Sequence, residues 1–262
     1  MQESRCIMVT GGLGDIGKAT VLKFVHAGDF VILNDLLEVK AAETQIVSWG
    51  IPQEQWLYLC ADCREREALH EAFDALEREG RLPSIVIVNA GVVAPVPFLE
   101  MSPEQWGFHL DVNLTGAFHV AQEIAQRWVA QKVSGTLLFT SSWVQDVPQQ
   151  GISAYCVSKS GLKMLARTMA LELGRYGIRV NLVAPGIVDA GLSARLFREG
   201  RADPNTFISH IPLATLQTSA EVADVFWLLA QPEASYITGA TLLADGGMSL
   251  FQFHPPSSKE TV

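Results

Sequence analysis

Tyr155-Cys-Val-Ser-Lys159 sets a phenol and an ammonium four residues apart. On a helix, positions i and i+4 share one face, so both groups can point into one pocket. Such a pair can move a proton. An unperturbed tyrosine has a pKa of about 10, and a base working near neutrality needs that lowered by about three units, or about 4 kcal/mol. A neighbouring lysine cation and a second positive charge can supply that between them. Alone the spacing specifies little, because an exposed helical pair has the same pattern.

A second stretch carries another kind of chemistry. Val9-Thr10-Gly11-Gly12-Leu13-Gly14-Asp15-Ile16-Gly17-Lys18 packs four glycines into seven residues, after an apolar run and before a helical pattern. Glycines there let backbone approach a pyrophosphate, and the helix N-terminus supplies free N–H groups and partial positive charge. Two registers fit. Gly12-x-Gly14-x-x-Gly17 reads as G-x-G-x-x-G, whereas Thr10-Gly11-x-x-x-Asp15-x-Gly17 reads as T-G-x-x-x-G-x-G with an acid at its middle glycine. Asp35 closes the next apolar run, 18 residues after Gly17. An acid there can accept both adenosine ribose hydroxyls of NAD and repel the 2′-phosphate of NADP. No Arg or Lys stands at 13–15 or 34–39 to receive that phosphate. NAD is therefore the expected cofactor, held by Gly11, Gly14, Asp15, Ile16, Gly17 and Asp35.

These residues need a scaffold, and the pattern supplies one. Seven short β-rich apolar runs, at 6–9, 30–33, 56–60, 85–88, 136–140, 180–183 and 241–243, read as strands of a sheet covered on both faces. Helical patterns lie between them near 16–27, 38–49, 65–79, 103–131, 154–175 and 220–230. Gly28 is placed to end the first, and Ser102-Pro103-Glu104-Gln105 has the form of a helix start. Alternating βα units predict an α/β, doubly wound parallel sheet with right-handed crossovers. Residues 187–215 show no clear periodicity and are expected to form a substrate lid. The expected organisation is a single domain over 1–250 with a flexible tail over 251–262.

Composition narrows the class of partner. The 262 residues are 48% hydrophobic and 18% charged, with a net charge of −9. No basic stripe suggests nucleic acid, and no apolar run reaches membrane-spanning length. Strand-like residues begin by Cys6, too soon for a signal peptide, so a soluble cytoplasmic protein is expected. Cys60-Ala-Asp-Cys63 is a C-x-x-C, but without a second ligand pair it reads as thiols at a strand end, and no metal is expected.

With its accompanying residues, the chain resembles the short-chain dehydrogenase/reductase family over nearly its whole length. Ser142 lies thirteen residues before Tyr155, and Asn89-Ala90-Gly91 is similar to the family's N-A-G. Asp62, Asn113, Asn181-Leu-Val-Ala-Pro185-Gly186, Tyr236-Ile-Thr-Gly239 and Asp245-Gly246-Gly247 also fall at matching places. The resemblance implies a Rossmann-like seven-stranded sheet of order 3-2-1-4-5-6-7 and an NAD-dependent interconversion of a secondary alcohol and its ketone. It implies Tyr155 as general base and acid, Lys159 lowering its pKa and binding the nicotinamide ribose, Ser142 holding the substrate oxygen, and Asn113 linking Lys159 to water. It adds Asp62, Asn89, Ala90, Gly91, Tyr155, Lys159, Pro185, Gly186 and Val188 to the cofactor set, and implies a homotetramer or homodimer through helices 103–131 and 154–175.

The glycine stretch alone resembles the extended sugar-nucleotide epimerases and dehydratases, but the Ser142–Tyr155 spacing and the Asp-Gly-Gly ending belong to the short form. Three positions depart from the family: Asp15 for a glycine, Val88 for an Asn and Ala190 for a Thr. Gly14 is expected to restore the backbone freedom lost at Asp15, which is expected to cap the first helix with its carboxylate turned from the pyrophosphate. Losing the Thr hydroxyl removes one contact of about 1 kcal/mol. The substrate pocket is expected from Ser142, Trp143, Val144, Gln149, Gln150, Tyr155, Val92 and Val93, with Leu192, Leu196 and Phe197 of the lid. A sugar, polyol or similar secondary alcohol fits the NAD preference. A 3-oxoacyl thioester or hydroxysteroid-type reductase is the alternative on the same fold, and a catalytically silent NAD sensor or scaffold is the alternative outside it.

Overall fold

The computed structural model describes residues 4–250, and the expectation for the 251–262 tail lies outside them. Seven strands make one sheet: β1 (Cys6–Thr10), β2 (Phe30–Asp35), β3 (Trp56–Cys60), β4 (Ile85–Val88), β5 (Gly135–Thr140), β6 (Ile178–Pro185) and β7 (Thr241–Ala244). Their order is β3-β2-β1-β4-β5-β6-β7, as expected, and every pairing is parallel. Side chains alternate across the sheet and both faces are dry. Ile7 and Val9 of β1 with Ile85 and Ile87 of β4 join one core, while Met8, Val86 and Val88 join the other.

One core is closed by α1 (Asp15–His26), α2 (Val39–Val47) and α9 (Ser219–Leu229), through side chains such as Phe24, Ile46 and Phe226. The opposite core is closed by α3 (Arg66–Arg78), α5 (Ala117–Gln131) and α6 (Ser153–Leu173), through Phe73, Ile124, Trp128 and Leu162. Val88 stands inside this core, 3% exposed, which accounts for an apolar residue there. Gly28, at φ +92°, directly follows the C-cap of α1, and Ser102 and Gln105 form the capping box of α4 (Pro103–Leu110).

Two stretches differ from the sequence reading. The helix expected over 103–131 is interrupted by a π-helical turn at Asp111–Gly116 between α4 and α5. Such turns widen a helix by one residue and re-aim its groups. Residues 187–215, without clear periodicity in the sequence, carry two short helices, α7 (Gly191–Arg198) and α8 (Pro204–Ile208). Asp203-Pro204 caps and opens α8 with the signal already recognised at Ser102-Pro103, but five residues give too little periodicity to register. The chain reverses its winding between β1 and β4, so the loops after these strands part and leave a crevice at their carboxyl ends.

Candidate active site

A cavity of about 630 Å³ occupies that crevice, bordered by Asp35 and the glycine turn as well as by Tyr155 and Lys159. Gly11, Gly14, Asp15, Ile16, Gly17, Asn89, Ala90, Gly91, Val93, Gly186 and Val188 also border it. Gly17 is required by space: a Cβ there would lie 2.0 Å from the Gly11 carbonyl oxygen. Gly11 is required by conformation, at φ +62°. The turn thus presents bare backbone to the cavity at the head of α1, a cradle suited to a dinucleotide pyrophosphate. Asp35 accepts from Leu13 N at 3.0 Å and Leu36 N at 2.8 Å, which fixes its carboxylate beside the turn.

Two expectations about the turn are corrected. Gly14 does not restore lost freedom, since its φ of −72° and ψ of 168° suit any residue. Asp15 does not cap α1. The N-cap is Gly14, without a side-chain bond, and Asp15 Oδ2 instead accepts the backbone N–H of Gly191 at 2.7 Å. Asp15 is the first residue inside the helix, so its side chain points away from the amides a cap must reach.

Asn89 ties three strands together. Its Nδ2 donates to Thr10 O at 3.1 Å and Gly11 O at 3.3 Å, and its Oδ1 accepts from Thr140 Oγ1 at 2.9 Å. Thr10 Oγ1 accepts in turn from the amides of Asn89 and Ala90, at 2.9 and 3.0 Å. Pro185 ends β6 but does not border the cavity. Asp62 is also outside it, its carboxylate paired with Arg64 at 2.6 Å. Ala190, lacking the hydroxyl of a Thr, serves as N-cap of α7 with no side-chain bond.

Tyr155 and Lys159 project from the first turns of α6. Lys159 is buried, donates from Nζ to Thr140 O at 2.7 Å, and holds Nζ 5.5 Å from the Tyr155 ring centroid. Burial pushes the ammonium down to about 8. Burial also pushes the Tyr155 phenol up to about 12, against the smaller opposing effect of its hydrogen bond with Ser142. The expected lowering combines Lys159 with a second positive charge from the cofactor; the protein's own groups by themselves push the phenol the other way. Burial of Tyr155 is the dominant cause, and Lys159, its Nζ tied to Thr140 O, is not among the groups that lower the phenol.

Ser142, Trp143 and Val144 are buried at the end of β5. Trp143, Val144 and Ile152 form a small apolar cluster against Val93, Tyr155, Ile187 and Met248. Gln150 is exposed, and neither it nor Gln149 borders the cavity. Asn113 lies on the π turn, 1% exposed. Its Oδ1 accepts from Val92 N at 2.7 Å, and its Nδ2 donates to Val92 O at 2.8 Å and Ser158 Oγ at 3.1 Å. Asn113 therefore splints the segment after Gly91 against α6 without bordering the cavity. The sequence reading missed three contributors. His109 Nε2 accepts from Ala94 N at 3.0 Å, Ser158 meets Asn113, and Arg195 of α7 borders the cavity. The first two sit one turn from recognised residues, whereas nothing in the spacing marked Arg195.

Cys60 and Cys63 are free thiols, bonded to Leu36 O and Asn34 Oδ1 rather than to each other. Among the described residues no helix is long and apolar enough to cross a membrane.

Comparison with known proteins gives the family. Residues 13–249 match the family model described as Enoyl-(Acyl carrier protein) reductase. The chain is 31% identical to a 3-oxoacyl-(acyl-carrier-protein) reductase of Thermotoga maritima, over 94% of this chain and 98% of that protein. It is 30% identical to glucose 1-dehydrogenase of Gluconobacter oxydans (94% and 92% covered) and to 3beta-hydroxysteroid dehydrogenase 1 of Eggerthella lenta (95% of each). A 4-hydroxyisoleucine dehydrogenase solved in complex with NADH superposes with a TM-score of 0.87 at 27% identity, over 95% of this chain and all of that one. With this cradle, this sheet order and these relatives, the chain belongs to the short-chain dehydrogenase/reductase family, oxidoreductases that use a nicotinamide cofactor.

Proposed function

We propose that the chain interconverts a secondary alcohol and its ketone, with NAD as the preferred cofactor. The observation that carries this reading is one continuous cavity with Asp35 bordering it and the Tyr155–Lys159 pair bordering it too. Bound there, the dinucleotide supplies the hydride donor or acceptor and, when oxidised, a positive ring. The Asp35 carboxylate would accept the adenosine ribose hydroxyls and disfavour a 2′-phosphate. Lys159 would bind the nicotinamide ribose. Ser142 would hold the substrate oxygen, and Tyr155 would take the alcohol proton in oxidation and return it in reduction. Asn113 keeps the wall beside them in place through Val92 and Ser158. Residues 187–215 act as the lid of a single-domain enzyme.

A sugar or polyol matches the NAD preference and the likeness to glucose 1-dehydrogenase. The apolar cluster of Val93, Trp143, Val144 and Ile152 beside Tyr155 supports a second reading, a carbinol with an apolar flank, as in a hydroxysteroid or 3-hydroxyacyl compound. Assembly as a homodimer or homotetramer through α5 and α6 is supported by exposed Val157, Met164 and Leu171 at seven-residue spacing along α6.

The test is a panel of sugars, polyols, hydroxysteroids and 3-hydroxyacyl thioesters with NAD and NADP, followed by absorbance of the reduced cofactor. Turnover of a secondary alcohol with NAD supports the proposal. Preference for NADP removes the role given to Asp35, and binding of NAD with no alcohol oxidised supports the sensor reading.

A further inference from the structure

Asp15 stands where the family register has glycine, and its carboxylate leaves its own helix. Asp15 Oδ2 accepts the N–H of Gly191 at 2.7 Å, joining residues 176 positions apart. Gly191 opens α7, whose N-cap residue Ala190 has no side chain able to cap it. An orphan amide at that end therefore finds its acceptor on another element, and a carboxylate suits the positive end of the α7 dipole.

The bond has a mechanical consequence. The root of the lid is fixed at the sheet end by Gln217, which accepts from Asp189 N at 2.8 Å, donates to Ile187 O at 3.0 Å and accepts from Gly186 N at 3.1 Å. Beyond that root, α7 leads Leu192, Ser193 and Arg195 along the cavity. Among the described residues, Asp15–Gly191 is the one hydrogen bond that joins the glycine turn to α7. Both of its ends border the cavity assigned to the dinucleotide. A glycine at 15 carries no acceptor, so a turn in the plain family register has no such link.

We infer that Asp15 is a clasp: it caps α7 from the glycine turn, holds the lid over the cofactor, and slows exchange of the dinucleotide. It is a positioning residue, acting through α7. This rests on the reading that the cavity takes a nicotinamide dinucleotide. The clasp must open for the turn and the lid to part, so its removal speeds both lid opening and cofactor release.

The experiment compares wild type with Asp15→Ala, Asp15→Asn and Asp15→Gly in the intact protein. Two readouts are taken: tryptic cleavage after Arg195 and Arg198 without cofactor, and stopped-flow release of NADH, with NADPH in parallel. Asp15→Ala should speed lid cleavage and NADH release by about fivefold each, the scale of one partly exposed hydrogen bond. Asp15→Asn should stay close to wild type, because its amide oxygen can accept the same N–H. Circular dichroism confirms the fold, and Asp15→Gly repeats the deletion if Asp15→Ala does not fold. Unchanged cleavage and release in the deletion variants overturns the clasp. So does an Asn variant as fast as the Ala variant, which would mean that charge and not the bond is responsible. Failure of wild type to bind either reduced cofactor overturns the cofactor reading instead, while the cleavage arm still decides the clasp.

Discussion

Lys159 Nζ sits 2.7 Å from the carbonyl oxygen of Thr140 and 5.5 Å from the centroid of the Tyr155 ring. The ammonium is thus tied to the end of β5 while its charge faces the ring. Helix α6 and strand β5 are pinned together where the chemistry is assigned. The pinning keeps a cation in a dry place, and burial moves each titrating group, the ammonium down and the phenol up.

That pair predicts a pH dependence. Reduction of a ketone needs a neutral phenol and a charged Lys159. Its kcat/KM should be flat below about 8 and fall above it as Lys159 loses its proton. Stability follows the same group. Between about 8 and its ordinary 10.5, the unfolded lysine holds a proton that the folded one has released, so stability rises with pH across that window. Lys159→Met should accordingly melt higher relative to wild type at neutral pH than at the top of the window. Melting curves against pH check the sign.

Glycine positions in the turn should separate sharply. Gly17→Ala forces a methyl to 2.0 Å from a backbone oxygen that cannot swing away, and should cost about 1–3 kcal/mol along with loss of NADH binding. Gly14→Ala meets its nearest atom at 3.5 Å in an ordinary conformation and should be close to neutral. Melting temperature and NADH fluorescence read both.

Cofactor choice should turn on Asp35. Asp35→Ser removes the charge while keeping a short polar side chain for Leu13 N or Leu36 N. The ratio of kcat/KM for NADP over NAD should rise by about tenfold or more, since a repelled phosphate becomes tolerable. An unchanged ratio would detach cofactor choice from this residue.

Asn113 offers a structural test of the substrate wall. Asn113→Leu keeps the branched outline of the side chain but leaves Val92 N and Val92 O without their partner and removes one of the two partners of Ser158 Oγ, which still donates to Tyr155 O. Leaving buried polar groups unpaired should lower stability by about 2–4 kcal/mol and raise KM as the Val92–Val93 segment loosens. Denaturant titration and steady-state kinetics measure the two effects.

The strands were legible because each is apolar over most of its length and the helices between them have a clear period, the arrangement a sheet covered on both faces demands, whereas the strand order came from the family resemblance. Tyr155, Lys159, Asp35 and the glycine turn were legible because their chemistry depends on local spacing. The Asp15–Gly191 bond was not, since it joins residues far apart in sequence and replaces an expected local cap. The upward push of the protein's own groups on the phenol leaves no mark in spacing, because desolvation is set by packing around Tyr155, including Trp143 and Val144. The π turn under Asn113 gave no signal because it keeps helical dihedral angles on both flanks.

The assignment of Tyr155 as the proton-transferring group is tested most directly by Tyr155→Phe, assayed with the best alcohol of the panel alongside NADH titration. Turnover should fall by about 10²–10⁴-fold, with NADH affinity within a few-fold of wild type. Turnover equal to that of the parent would contradict it.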